Sequence, residues 1–205
     1  MTSRNFHKRW KYAVGGALVC AVSMCYTHAD ESDTGGNGDM LRLEKYTEKD
    51  EERFAQVVFN EPAMRMNLGR VLTEEEAKAF FQMALTCNAD DPVLGFYQVF
   101  REENGERESM GMGALNWNDD HHAVEIEYML LPSYWHQGYG TELVGLLLRK
   151  ADEARRGTDV AAITDPANTY SKRILQRARF QFVRQYVNGD GELAELYLKK
   201  AGTDA

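Results

Sequence analysis

Along residues 124–131 the side chains alternate in kind. Val124, Ile126, Tyr128 and Leu130 share one face of an extended chain, and Glu125, Glu127, Met129 and Leu131 share the other. Pro132 cannot donate to a ladder and ends the strand. A loop of bulky residues follows, then the turn Gly138-Tyr139-Gly140-Thr141. The period then becomes helical, with Leu143, Val144, Leu146, Leu147, Leu148 and Ala151 recurring at helical spacing.

The same reading extends to both sides of this unit. Alternation over 41–46 predicts a first strand. Thr47, with Asp50 three residues on, starts a helix through Phe59 that buries Phe54, Val57 and Val58, and Asn60-Glu61-Pro62 ends it. Met64, Met66 and Leu68 form a short apolar segment. Thr73 and Glu76 make a capping box for a helix that carries Ala77, Phe80, Phe81 and Ala84 and ends near Cys87-Asn88. Strands are predicted at 93–101 and 110–115, joined by a hairpin turn at 103–106, with Gly111 and Gly113 marking a close backbone approach or a bulge. A second turn, 117–122, feeds the strand at 124. Beyond the central helix come a buried strand at 160–165, a helix at 169–178, and strands at 182–187 and 193–198 around Asn188-Gly189-Asp190-Gly191. This order of elements is that of an α/β sandwich around a mixed sheet.

Composition agrees with one globular domain: 205 residues, 43% hydrophobic and 27% charged. The net charge is -8, and residues 1–39 carry four basic and four acidic side chains, so the excess lies from Met40 onward. An acidic domain is a poor nucleic-acid binder and suits a cationic partner such as an amine. Arg4, Lys8, Arg9 and Lys11 precede an apolar run at 12–26, and Thr27-His28-Ala29 resembles a cleavage site, so residues 1–29 read as a secretory signal. That run is short and interrupted by Gly15 and Gly16, which disfavours a stable membrane span. Residues 30–39 are a polar, Gly-rich linker, 40–200 the domain and 201–205 a tail. Cys87 is the one cysteine beyond the leader, so an internal disulfide is excluded there, and no spacing suggests a metal site. Asp119, Asp120, His121 and His122 are contiguous in a turn and read as a solvated one.

A strand, a glycine turn and a helix N-terminus can hold an anion, because the first amides of a helix lack internal partners and sit at its positive end. Gln137, Gly138, Tyr139, Gly140 and Thr141 are the residues that would grip a phosphate or diphosphate. The stretch Tyr134-Trp135-His136-Gln137-Gly138-Tyr139-Gly140-Thr141-Glu142 resembles the acetyl-CoA loop of the GNAT superfamily of N-acetyltransferases, most closely the branch that acetylates ribosomal-protein N-termini. Trp135 stands at its Arg/Gln position. A second stretch resembles the same branch: Asn168 and Ser171, the helix positions Ile174 and Leu175, and Phe180, with Arg179 where glycine is usual.

The resemblance spans 40–200. It implies a three-layer α/β/α sandwich around a mixed, mostly antiparallel sheet of six or seven strands with a splayed central pair. It implies acetyl-CoA as cosubstrate and a primary amine as acceptor, either a protein N-terminus or a small amine such as a polyamine. The pantetheine arm would lie in the splay against the backbone of Met129, Leu130 and Leu131, oriented by Asn168. Ser171 would supply the proton to the leaving thiolate, and Lys172, Arg173 and Arg177 could reach the phosphates. Glu125 and Glu127, about 7 Å apart on one strand face, are the candidate general bases. Glu125 matches the branch's usual glutamate, and Glu127 stands where glycine is frequent. Acceptor specificity is expected in 60–71 and the hairpins. The competing reading is a catalytically weak module that binds or senses acyl-CoA; Ser171 and the two carboxylates favour the enzyme.

Export conflicts with a cytosolic cosubstrate. Met40 is therefore expected to be the true start of a cytoplasmic protein, and the genetic code allows Gly38-Asp39-Met40 to be written as a purine-rich ribosome-binding signal upstream of ATG. N-terminal sequencing of the native protein should return Met40 or Leu41. Residues from 2–29 on the mature chain would end the idea, and Asp30 first would establish export.

Overall fold

A computed structural model describes residues 41–103, 105–155, 157–189 and 191–202. The signal-like segment, the linker and Met40 lie outside the described residues. The strands are β1 (Leu41–Lys45), β2 (Gly95–Glu103), β3 (Glu106–Asn118), β4 (Ala123–Leu130), β5 (Val160–Thr164), β6 (Gln181–Val187) and β7 (Leu193–Lys199). The helices are α1 (Glu51–Val58), α2 (Glu61–Leu68), α3 (Glu74–Asp90), α4 (Tyr139–Ala154) and α5 (Thr169–Arg177). The strands form one seven-stranded sheet in the order β1-β2-β3-β4-β5-β7-β6. Every neighbouring pair is antiparallel except β4 with β5.

Among the described residues two large cores separate three layers, and a smaller cluster gathers around Ala161 and Leu196. On one face Phe54, Val57, Phe80 and Phe81 of α1 and α3 pack against Phe96, Met112, Ala114 and Met129 of the sheet. The rings of Phe54 and Phe80 meet edge-on at 5.0 Å, and those of Phe80 and Phe96 at 5.5 Å. Burying each such ring contributes about 2 kcal/mol. On the other face Leu143, Val144 and Leu147 of α4 and Leu175 of α5 pack against Leu115, Val124, Ile126 and Leu130. β4 is therefore buried along its whole length, and its alternation sorts side chains between two cores rather than between core and water.

Several boundaries differ from the sequence reading. Asn60-Glu61-Pro62 does not simply end α1. Asn60 Oδ1 accepts from the Ala63 amide at 3.1 Å and caps α2, with proline in the first turn where no donor is needed. The short apolar segment is thus a helix, closed by Gly69 at φ 69°. Asp91 Oδ1 accepts from the amides of Val93 and Leu94 at 2.8 Å each, and this side-chain turn delays β2 to Gly95. At Gly111 a Cβ would lie 2.0 Å from the Met129 carbonyl oxygen, and the β2–β3 register shifts opposite it, between Val99 and Phe100. Arg179 takes φ 65°, the conformation that suits the glycine usual there, and the Phe180 amide still closes α5 onto the Leu175 carbonyl at 2.9 Å.

The capping box at α3 forms as expected. Glu76 accepts from the Thr73 amide at 2.8 Å, and its own amide donates to the Thr73 hydroxyl at 3.2 Å. The Arg70 hydrogen bond, then the Thr73 amide, pull the Glu76 carboxyl down to about 2. A carboxylate held low in the fold contributes stability above its ordinary range and loses it as pH falls through the folded value. Glu76→Gln should cost about 0.5–1 kcal/mol at pH 7 in denaturant unfolding. The gap between the two proteins should close as pH falls from 4.5 to about 2. A gap unchanged near pH 2 would mean that charge plays no part.

Candidate active site

β4 pairs with β3 from Gly111↔Leu130 to Asn118↔Ala123, but with β5 only at Val124↔Val160 and Glu125↔Ala161. Past Glu125 the two strands part. Backbone groups alternate between the two edges of a strand. The Val124 amide donates to Asp159 on the β5 side at 3.0 Å, and the Leu131 amide to Met110 on the β3 side at 2.8 Å. Ile126, Tyr128 and Leu130 therefore turn their N–H and C=O groups toward the opening. Of the three residues expected along it, Leu130 faces it with its backbone, whereas Met129 and Leu131 address β3. Side-chain alternation alone could not decide this, because the edge each amide faces depends on the register. The Leu130 carbonyl accepts from the Trp135 indole at 2.7 Å.

Glu125 and Glu127 lie on one face of β4 and are only 2% and 4% exposed. Each is held by an asparagine of β3: Asn118 Nδ2 donates to Glu125 Oε2 at 2.6 Å, and Asn116 Nδ2 to Glu127 Oε1 at 2.8 Å. Glu125 sits at the last ladder pair with β5; Glu127 stands beyond it, beside the opening. On the opposite face the hydroxyls of Tyr128 and Ser171 meet at 3.0 Å, both buried. The sequence reading passed over Tyr128 as an apolar-face residue. Its signal was present, since its phenol is the one polar group among Val124, Ile126, Tyr128 and Leu130. Asn168 Oδ1 accepts from the Ser171 amide at 3.0 Å, so Asn168 caps α5 and leaves the Ser171 hydroxyl to the phenol.

The glycine turn delivers the helix end. Gly138 takes φ 86° and caps α4, and its carbonyl accepts from the amides of Thr141 at 3.0 Å and Glu142 at 3.2 Å. Among the described residues the amides of Gln137, Gly138, Tyr139 and Gly140 have no hydrogen-bond partner. Thr141, expected in the same set, spends its amide inside the turn, and the Gln137 side chain donates back to the Ser133 carbonyl at 2.7 Å. A Cβ on Gly140 would lie 2.8 Å from Ile174 Cδ1, so this glycine also lets α4 and α5 close. The preceding loop is braced by Tyr134, whose hydroxyl donates to Glu108 at 2.8 Å. Burial first, and that carboxylate second, push the phenol up to about 12. Lys172 is turned away, donating to the Pro166 carbonyl at 2.7 Å. Four unpartnered amides at the positive end of a sixteen-residue helix fit a phosphate or diphosphate.

Among the described residues no group of three or more His, Cys, Asp or Glu is placed to hold a metal ion, and no helix is long and apolar enough to cross a membrane.

The acetyltransferase (GNAT) domain family matches residues 40–181. No curated protein matches the chain. Among solved structures, a GNAT-family acetyltransferase from Bacillus anthracis superposes with a TM-score of 0.65 at 18% identity, covering 80% of this chain and 96% of that one. An acetyltransferase from Salmonella typhimurium that modifies the N-terminal serine of ribosomal protein L7/L12 gives 0.62 at 21% identity, covering 78% and 95%. RimL, the ribosomal L7/L12 alpha-N-protein acetyltransferase, in complex with coenzyme A, gives 0.64 at 20% identity, covering 80% and 96%. These likenesses establish the fold.

Gly140→Val should weaken coenzyme A binding by at least about tenfold in calorimetry, since the side chain intrudes where the ligand's phosphates would approach the amides. Ile174→Ala in the same chain relieves the internal contact and should not restore binding. Normal affinity in Gly140→Val would remove these amides as the anion site.

Proposed function

Because the chain belongs to the acetyltransferase (GNAT) family, we propose that it moves an acetyl group from acetyl-CoA to a primary amine by direct attack, within the opening between β4 and β5. The observation that carries this reading is the opening itself. It has a carboxylate pair on one face and a buried Tyr128–Ser171 hydroxyl pair on the other. The amides of residues 137–140 would hold the diphosphate, and the backbone of Ile126, Tyr128 and Leu130 would bond the pantetheine arm. When bound, acetyl-CoA supplies an activated acyl group whose thiolate leaves readily.

Amines are mostly protonated at neutral pH, so one proton must be lost before attack. Glu127 is the group to accept it, because it stands beside the opened stretch of β4, with Asn116 fixing one oxygen. Glu125, at the closed end, holds the neighbouring position on the same face. As charge develops on the carbonyl oxygen, the Tyr128 or Leu130 amide on the open edge would donate to it. Ser171, hydrogen-bonded to Tyr128, gives the departing sulfur its proton; the phenol restores the serine and is itself reprotonated from solvent, which takes up the second proton the nitrogen loses as the amide forms. No covalent enzyme intermediate is required. Cys87 keeps its proton, since burial pushes its thiol up. The resemblance to enzymes that act on L7/L12 supports a peptide N-terminus as acceptor.

Coenzyme release measured with peptides beginning in Ser or Ala, spermidine and an aminoglycoside tests the proposal. One of these amines should accelerate thiol release. Glu127→Gln should then lower kcat by about a hundredfold with coenzyme affinity unchanged, and Glu125→Gln by less. Full activity across pH in both single variants and in the double variant would refute the carboxylate role.

A further inference from the structure

Asn67 is a buried polar side chain of the helical layer that the reaction above does not use. It lies on α2 and is 5% exposed, within the core between α1–α3 and the sheet. Its Nδ2 donates to the thioether sulfur of Met129 at 3.6 Å, a weak acceptor, while its Oδ1 is buried with no hydrogen-bond partner among the described residues. A buried carbonyl oxygen without a donor carries its full desolvation cost, and such groups are rare in folded proteins. Turning the amide over would only exchange the orphan, leaving Nδ2 unbonded and Oδ1 against sulfur.

Its position gives the orphan a use. Met129 is two residues from Glu127 on the same face of β4, and such neighbours are about 7 Å apart. A nitrogen held over Glu127 is within reach of a group that touches Met129. From the orphaned Oδ1 and this placement we infer that Asn67 binds the acceptor amine, taking one N–H while Glu127 takes the proton to be lost. The assignment rests on the acyl-transfer reading above. A neutral oxygen suits the task. It orients both the ammonium and the free amine, and unlike a second carboxylate it does not make the proton harder to remove. The N–H direction then fixes where the lone pair points. The expected ligand is a primary amine with a slim first carbon, as in a peptide N-terminus or an alkylamine, since Asn67 and the carboxylate pair approach it from one side of the strand.

Asn67→Leu and Asn67→Asp test this, using the amine from the panel that drives fastest thiol release. Asn67→Leu should melt no lower than the parent, because a buried orphan is removed. It should raise KM for the amine about tenfold and leave KM for acetyl-CoA unchanged. Should it melt early, Asn67→Ser carries the same KM test with a smaller side chain. Asn67→Asp adds a charge that favours the bound ammonium, so the rising limb of kcat against pH should move to higher pH. An amine KM within twofold of the parent in a folded Asn67→Leu or Asn67→Ser, or an unmoved pH limb in Asn67→Asp, overturns the assignment and leaves acyl transfer standing. A parent protein that accelerates thiol release with no amine in the panel overturns the acyl-transfer reading and this assignment together.

Discussion

One strand has a ladder on one edge and an opening on the other. β4 is hydrogen-bonded to β3 throughout and loses β5 after Glu125. Backbone groups buried without partners are costly, so a sheet does not open at its centre unless something else satisfies that edge. Within the protein the Trp135 indole covers the Leu130 carbonyl. In the proposed reaction, that edge is the length of backbone on which an extended, amide-bearing ligand would lie as a substitute strand. Gly111 lets β3 press against β4 at Met129 and Leu130, which keeps the strand firm where its other neighbour is missing.

This constraint explains how the proposed chemistry is divided. Because β4 separates two cores, its odd and even residues face different helices, and the opening is where both faces reach a common point. Glu125 and Glu127 stand on the side of α1–α3; Tyr128 meets Ser171 of α5 on the other. In the proposed reaction, removal of a proton from the incoming amine and return of a proton to the departing sulfur would thus occur from opposite faces. The glycine turn adds a third component at the end of the opening, where α4 begins and its first amides face outward.

Much of this was legible in the sequence because it is local. The alternation at 124–131, the capping box at Thr73 and the glycine turn each carry their signal within a few residues. What was hidden depended on register or long-range contact. The edge to which Met129 and Leu131 give their amides follows from pairing with β3, and the meeting of Tyr128 with Ser171 brings together residues 43 apart in the chain. Asn60 shows a different ambiguity, because the signals that stop one helix also start the next. Asn67 was inconspicuous for a similar reason: a single asparagine in a short helix has no pattern, and its orphaned oxygen exists only once α2 packs on β4.

A crystal structure with coenzyme A bound tests the role of the opening most directly. The diphosphate should lie within hydrogen-bonding distance of the amides of residues 137–140, and the pantetheine arm along Ile126, Tyr128 and Leu130 with its sulfur end toward Ser171. A ligand bound elsewhere, or an opening closed by side chains with β4 and β5 fully paired, would contradict that role.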